Sequence, residues 1–452
     1  MSAHLSDSAI YGHLWGTDET RAMLCDEGRL RSWLDLLACL AEAQAEVGLV
    51  PADAARSITA SVHDWIPDIA EVGRLTRETG HSTLGLIRCM QERLPEHARE
   101  WVYYGATVQD LSDTWAVLVM RRMTNIVLRD LRVARSAAAD LARVHRATIM
   151  CGRTHGQPGL PITFGFKAAV WADEIDRHIG RIEHSREARE VIQLGGGLGS
   201  MEFWGEAAEP MARAFARRLD LGVPVIPWLT SRDRFAEFVT QMAMIAATIA
   251  KIGDEVFELQ RAEIGELREP LSPGTVGSIT MPHKRNPEWS EHVSSLARLV
   301  RVNADLAIEG MIHGHERDGR AWKTEWVVLQ ETCHFTATST MAVTRILDGL
   351  EVNVARMQAN LDAQRGYVLS EPVMRALSDR MGKHTAHQVV YEATLSGGER
   401  GVDMRTALRD DPRLADIPDA ELDALLDPSR ALGSISRFVD DVLARLGDST
   451  DA

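Results

Sequence analysis

The sequence predicts an all-α protein built around a bundle of long helices. Apolar residues recur every three or four positions through six segments, several of them longer than twenty residues, as is typical of helix bundles. These segments are 28–47, 113–145, 163–191, 234–259, 287–313 and 325–347. Alternating runs of β-branched residues, which would predict strands, are almost absent.

Glycine and proline divide this helical pattern into three predicted domains. The first helical segment belongs to an N-terminal helical domain, 1–110, which ends after Gly105. The next five segments form a central long-helix domain, 111–362, in which Pro161 and Pro287 are expected to start helices at the first turn. The remaining helical part, 363–452, is the predicted C-terminal domain.

Composition excludes several classes of protein. The chain has 452 residues, 45% hydrophobic and 25% charged, as expected of a soluble globular protein. Its 65 acidic and 50 basic residues give a net charge of −15, which argues against nucleic acid or an anionic membrane as the main partner. We find no signal peptide and no apolar run long enough to span a membrane.

The cysteines predict a reduced, cytoplasmic protein without a metal site. They are scattered, with no C-x-x-C pair and no metal-ligand spacing. Their positions are Cys25, Cys39, Cys89, Cys151 and Cys333. We therefore expect no metal. No cofactor is expected either.

The segment 277–287 is the most informative stretch for chemistry. Gly277 and Ser278 open it with a flexible backbone, and Lys284 and Asn286 supply a cation and a neutral donor just before Pro287. A cation with an amide donor suits a carboxylate, so the segment predicts a mobile loop that binds an anionic substrate. A lysine-bearing surface loop before a helix is the alternative.

The whole string of the loop resembles that of the fumarase/aspartase superfamily, usually written G-S-S-x-M-P-x-K-x-N-P. His283 to Pro287 is most similar to the adenylosuccinate lyase and 3-carboxymuconate cycloisomerase branches. Two further segments, 153–158 and 101–114, resemble the superfamily's R-T-H-x-Q and H-x-G-A-T-S-x-D-x-x-D-T motifs, and the likeness extends over about 20–395. It implies a homotetramer with a twenty-helix core, in which each active site draws residues from three subunits.

The resemblance also assigns candidate site residues. It makes Ser278 the catalytic base and pairs His155 with Glu291 as a proton relay or binding device. The candidate substrate-binding residues that it implies are Lys284, Asn286, Thr107, Gln109, Thr154, His81, Arg232, Arg317 and Tyr103. In isolation, a structural histidine and surface ion pairs would explain His155 and the arginines equally well.

Three positions depart from the superfamily pattern. Ile279 replaces the second serine of the loop, Tyr103 stands where histidine is common, and Val108 replaces a substrate-binding serine. Loss of one neutral hydrogen bond costs roughly 0.5–1.5 kcal/mol, which permits binding but changes specificity. The reaction type is therefore better predicted than the substrate.

The resulting expectation is a lyase that performs β-elimination on a dicarboxylate-bearing substituted succinate and releases fumarate, with nitrogen as the leaving atom. Patterns around Trp228, Arg232, Trp322 and Trp326 favour a cycloisomerase acting on 3-carboxy-cis,cis-muconate instead. A biosynthetic lyase with another leaving group, such as nitrosuccinate lyase, is a third possibility. A helical oligomer that lost the chemistry is the fourth.

Overall fold

The computed structural model describes residues 4–271 and 274–448, and it confirms the all-α prediction. The helices before the first strand are α1 (Gly12–Trp15), α2 (Asp18–Leu24), α3 (Asp26–Glu46), α4 (Ala52–Val62), α5 (Ile69–Thr79), α6 (Leu84–Arg93), α7 (Glu96–Arg99) and α8 (Val108–Val144). After the strands β1 (Ile149–Thr154) and β2 (Gln157–Thr163) come α9 (Phe164–Arg189), α10 (Ala208–Leu219) and α11 (Asp233–Gln260).

The second half of the chain is also helical. Strand β3 (Leu267–Arg268) precedes α12 (Glu288–Glu309), α13 (Gly319–Trp322) and α14 (Glu325–Asp348), and strand β4 (Glu351–Val352) follows them. The remaining helices are α15 (Val354–Asp362), α16 (Ser370–Met381), α17 (Lys383–Arg400), α18 (Met404–Arg409), α19 (Asp419–Leu425) and α20 (Ile435–Asp448). Short 3₁₀ turns cover Leu5–Asp7, Glu202–Ala207, Tyr367–Leu369, Pro412–Leu414 and Pro428–Ala431.

The six helices predicted from periodicity correspond to α3, α8, α9, α11, α12 and α14, so those predictions are confirmed. The predicted helix start at Pro161 is wrong, because Pro161 lies in β2 opposite Cys151 of the antiparallel partner β1. In a two-stranded ribbon both strands are edges, and an edge strand tolerates a proline that donates no hydrogen bond. Helix α9 begins only at Phe164.

The described chain packs into two compact units. The first unit comprises Met1–Asp130, His178–Ile249 and Val293–Met341, and the second comprises Leu131–Arg177, Ala250–His292 and Ala342–Ala452. In the first unit, Leu34, Ile58 and Phe238 are fully buried. The C-terminal part of the second unit has a buried cluster of its own that includes Val389 and Met404. The division into three domains stays a prediction.

Helix α11 is apolar enough to resemble a membrane span among the described residues. Its best eighteen-residue window has a mean hydropathy of 1.3, but 72% of that window is buried inside the protein. A buried core helix meets the same criterion of length and hydropathy.

Candidate active site

The loop 274–287 in the second unit folds back on itself. A Cβ atom added at Gly277 would lie 2.6 Å from the carbonyl oxygen of Lys284, so only glycine allows this close approach. The backbone N–H of Met281 donates to Ser278 Oγ at 3.1 Å. Ser278, the predicted base, is half-buried, and its hydroxyl already accepts a hydrogen bond from the backbone.

The half-buried Gln260 and the buried Glu269 hold the two stems of this loop together. The Gln260 side chain donates to the carbonyl of Arg285 at 3.0 Å and accepts from the N–H of Glu269 at 2.6 Å. The Glu269 carboxylate in turn accepts from the N–H groups of Trp289 and Ser290, at 3.0 and 2.9 Å. Glu269 thus caps the N-terminus of α12 from outside the helix, a role that sequence reasoning missed.

The other predicted residues of this segment lie nearer the surface. Lys284 is exposed, as is Ile279, whereas Asn286 is half-buried and its amide donates to Glu288 at 3.4 Å. Glu291 lies on the exposed side of the first turn of α12. Ser278, Lys284 and Asn286 therefore belong to one folded loop, and their joint role stays a prediction.

His155 occupies the tip of the β1–β2 hairpin. His155 and Gly156 have φ angles of 53° and 74°, so both adopt the left-handed conformation of a two-residue hairpin turn. Thr154 pairs with Gln157 beside the turn, and both Thr154 and His155 are exposed. Within the described parts of this one chain, no hydrogen bond joins His155 to Glu291, and their pairing stays a prediction.

An ion pair fixes the base of this hairpin. Arg153 donates to both carboxylate oxygens of Glu266, at 2.7 and 2.8 Å. Glu266 is fully buried and also accepts from the side-chain amide of Asn360 at 2.8 Å. The hairpin that carries His155 is therefore anchored although its tip is exposed.

The first unit contains a second cluster of predicted residues. Thr107 precedes α8, and its N–H donates to Asp110 at 3.0 Å, while the N–H groups of Gly195 and Gly196 donate to the same carboxylate at 2.8 and 3.0 Å. Burial raises the pKa of Asp110 to about 6. Arg317 donates to Thr107 Oγ1 at 2.9 Å and to the carbonyl of Gly196 at 3.3 Å.

This second cluster has the properties of an anion site. Arg317 forms no ion pair with a carboxylate in the part of the chain that the structure describes. Its guanidinium group and the first turn of α8, whose N-terminus carries partial positive charge, are both close to Thr107. A carboxylate bound there would meet a cation, a hydroxyl and a helix N-terminus.

Two other predicted binding residues are engaged in contacts within the protein. Arg232 is 1% exposed and donates to Asp113 at 2.7 and 3.1 Å and to Glu325 at 2.8 and 2.5 Å. Gln109 is fully buried, and its amide donates to the carbonyl of Leu229 at 2.7 Å. Both side chains therefore stabilise the fold of the first unit in this structure.

The remaining predicted residues differ in their surroundings. His81 is exposed, and its Nδ1 accepts from the N–H of Thr83 at 3.3 Å. Tyr103 has a φ of 62°, and its buried hydroxyl has no hydrogen-bond partner among the described residues. Burial, reinforced by the nearby Asp110 carboxylate, raises the pKa of Tyr103, so its phenol stays protonated and can donate.

Sequence reasoning also missed His313. Both of its ring nitrogens are buried without a hydrogen-bond partner in residues 4–271 and 274–448. Burial, with help from the charge of Arg232, lowers the pKa of His313. Its position four residues before Arg317 was visible in the sequence, but nothing there distinguished it from the neighbouring His315.

Comparison with known proteins gives consistent matches along the whole chain. A family profile described as "Lyase" matches residues 13–301, more than half of the chain. A second profile, described as "Adenylosuccinate lyase C-terminus", matches residues 366–442.

Individual relatives carry several different names. An N-acetyl-S-(2-succino)cysteine lyase from Dickeya dadantii is 39% identical over 100% of this chain and 99% of its own length. A 3-carboxy-cis,cis-muconate cycloisomerase from Pseudomonas aeruginosa is 35% identical over 94% of this chain and 93% of its own. The crystal structure of the 3-carboxy-cis,cis-muconate lactonizing enzyme from Pseudomonas putida matches with a TM-score of 0.92 at 31% identity, over 98% of this chain and 100% of that chain.

Proposed function

This chain belongs to the fumarase/aspartase superfamily of lyases, and we propose that it catalyses β-elimination from a 2-substituted succinate with release of fumarate. The observation that carries the proposal is the loop 277–287, in which Ser278 has its hydroxyl beside a backbone donor and shares the loop with Lys284 and Asn286. A donor to Oγ stabilises negative charge on that oxygen, as a serine base requires.

The reaction proceeds in two bond changes. Ser278 takes a proton from C3 of the succinate, and the electron pair of the C–H bond moves into the adjacent carboxylate to give a doubly negative aci-carboxylate. This pair then forms the C2–C3 double bond while the bond from C2 to the leaving atom breaks. The leaving group departs with the electron pair of that broken bond and receives a proton, so the products are fumarate and the protonated leaving group.

Two groups of donors supply the charge stabilisation. We assign one substrate carboxylate to Thr107, Arg317 and the N-terminus of α8. Lys284 and Asn286 stabilise the aci-carboxylate as an oxyanion site does. Arg232 is left out of this assignment, because Asp113 and Glu325 already use its donors.

His155 with Glu291 is proposed to protonate the leaving group or to position the substrate, in an active site assembled from several subunits as the resemblance implies. Apolar side chains exposed on α12 support assembly, since oligomers cover such faces. Val302, Ile308 and Leu299 are 66%, 54% and 39% exposed. We propose a homotetramer located in the cytoplasm, as expected of a small-molecule metabolic enzyme of this family.

We propose sulfur as the leaving atom, in a succinylated thiol such as N-acetyl-S-(2-succino)cysteine. Two relatives with that lyase activity in their names are 39% and 38% identical over 100% and 98% of this chain. Nitrogen, as in adenylosuccinate, is the second candidate, because the C-terminal profile carries that name. The third candidate reaction is cycloisomerisation of 3-carboxy-cis,cis-muconate, and the fourth is elimination of nitrite from nitrosuccinate.

A substrate panel tests the proposal. Wild type and Ser278→Ala would be incubated with each of these four compounds, and fumarate, free thiol and the absorbance of conjugated double bonds would be measured. We expect wild type to release fumarate and thiol in equal amounts from the succinyl thioether, and Ser278→Ala to release neither. Turnover of adenylosuccinate alone would show that the leaving atom is nitrogen and not sulfur. Inactivity of wild type on all four compounds would overturn the lyase proposal and favour the non-catalytic oligomer.

A further inference from the structure

A cavity of about 280 Å³ lies within the first unit, and no predicted site residue accounts for it. Four of the chain's eleven tryptophans line it, namely Trp33, Trp115, Trp322 and Trp326. Asp26 and Ile69, also in its lining, are exposed, so the cavity reaches the surface. Its walls suit a small ligand with an apolar body.

The cavity contains a cation that forms no ion pair among the described residues. Arg29 lines it and lies over the ring of Trp115, with the guanidinium carbon 4.4 Å from the ring centroid. The Arg29 side chain forms no hydrogen bond and no ion pair within the described residues, and its Nε is buried without a partner. Asp26, on the same helix, interacts with it electrostatically without forming an ion pair. A half-buried arginine in this state is stabilised by an anion.

The other polar groups of the cavity are also compatible with an anionic ligand. Asp113 and Glu325 line the cavity, but both carboxylates are bound by Arg232. Trp33 has a buried indole N–H that lacks a hydrogen-bond acceptor among the described residues. The buried groups of the cavity that lack a partner among the described residues are therefore donors, whereas the carboxylate of Asp26 is exposed to solvent, and a fitting ligand supplies acceptors.

The cavity and the proposed carboxylate site draw residues from the same two segments of the chain. Arg317 donates to Thr107 Oγ1, and five residues later in the chain the indole of Trp322 donates to Asp113 at 3.0 Å. Thr107, which directly precedes α8, and Asp113 within it are six residues apart, a rise of about 9 Å along a helix. An extended succinyl thioether is long enough to reach from one contact to the other.

We propose that this cavity binds the leaving half of the substrate, and that this half carries its own carboxylate, which pairs with Arg29. The inference rests on the proposed function and narrows its substrate class to succinyl thioethers of acylated amino acids. A single free arginine and a cavity of this size match one carboxylate and a small body better than the phosphate and purine of a nucleotide.

Kinetics on a matched pair of substrates test the inference. One substrate is N-acetyl-S-(2-succino)cysteine, and the other is N-acetyl-S-(2-succino)cysteamine, which lacks only the carboxylate of the leaving half. The variants are Arg29→Met and Arg29→Lys. Arg122→Met removes an exposed arginine of α8 and is the control. Thermal unfolding of each variant establishes that it is folded.

We expect Arg29→Met to lower kcat/KM for the carboxylated substrate by roughly 10-fold or more and for the cysteamine analogue by less than about 3-fold, because only the first loses a charged hydrogen bond. Arg29→Lys should recover part of the loss, and Arg122→Met should match wild type on both. Equal losses on the two substrates, or no loss on either, would overturn the assignment of Arg29.

A binding measurement separates failure of this inference from failure of the proposed function. If wild type turns over neither thioether, N-acetylcysteine is titrated while tryptophan fluorescence is recorded. Binding that weakens roughly 10-fold in Arg29→Met but not in Arg122→Met supports the cavity as a carboxylate site although the proposed reaction fails. If N-acetylcysteine does not bind to wild type, the assignment of the cavity as a carboxylate site is rejected as well.

Discussion

The buried ion network of the first unit and the loop and hairpin tip of the second unit place their polar side chains in opposite environments. In the first unit, Arg232, Asp113 and Glu325 are buried and fully bonded to one another. In the second unit, the loop around Ser278 and the hairpin tip at His155 are fixed at their stems but largely exposed. Substitutions in the first unit should therefore affect stability or substrate binding, whereas substitutions at the loop should affect turnover and leave folding unchanged.

The largest expected effect is on turnover. Ser278→Ala should lower kcat by about 10³-fold or more, because the reaction loses its base. The melting temperature should be unchanged, because the hydroxyl makes a single hydrogen bond to the described residues. Steady-state release of fumarate and calorimetry would measure the two quantities. Thr280→Ala, which changes an exposed residue of the same loop, is the control. Substantial activity in Ser278→Ala would reject the base assignment.

The buried ion network provides the opposite test. Arg232→Met should lower the free energy of unfolding by about 3–5 kcal/mol, because it leaves the carboxylates of Asp113 and Glu325 buried without a cation. Urea unfolding measures the change, with Arg122→Met as a control on the protein surface. If Arg232→Met were as stable as wild type, the buried ion pairs would not stabilise the first unit, and buried charge would not explain the difference between the two regions.

Stability should also depend on pH through the first unit. His334 is buried beside Thr20, and burial lowers its pKa to about 4; Asp7 opposes this lowering, and His4 and Arg21 add to it. A histidine with a lowered folded pKa contributes stability that is present above its unfolded pKa and is lost as the pH falls towards 4. The loss is on the order of 3 kcal/mol.

The His334→Gln variant tests this pH dependence. Its glutamine can still bond to Thr20 but does not titrate, so the free energy of unfolding should fall less between pH 7 and pH 4 than in wild type. Urea unfolding at several pH values measures both proteins. Parallel curves for wild type and variant would show that another group controls the acid response.

The smallest expected effect concerns substrate binding. Arg317→Met should raise KM by roughly 10–100-fold, because a substrate carboxylate loses a charged hydrogen bond beside Thr107. Arg317→Lys should recover part of the affinity, and unfolding should change little because Arg317 has no carboxylate partner among the described residues. An unchanged KM in Arg317→Met would remove this residue from the binding site.

The long helices could be predicted because periodicity accumulates over twenty or more residues, as in α8 and α11. The β1–β2 hairpin could not, since each strand is short and contains glycine, and Pro161 is equally compatible with a helix start and an edge strand. The candidate site residues could be named because the loop and two further motifs resemble those of the superfamily. The capping role of Glu269 and the isolation of His313 left no local pattern to detect.

The sequence by itself determined the helical architecture, the superfamily and the chemical groups available for catalysis, because these depend on local spacing and on short motifs. The tertiary structure decided which charged groups are free to bind a ligand. Arg232 is paired with carboxylates 93 and 119 positions away, whereas Arg317 and Arg29 have no such partner among the described residues. Pairing over such distances is set by packing, so three arginines that look alike in the sequence have different roles in the fold.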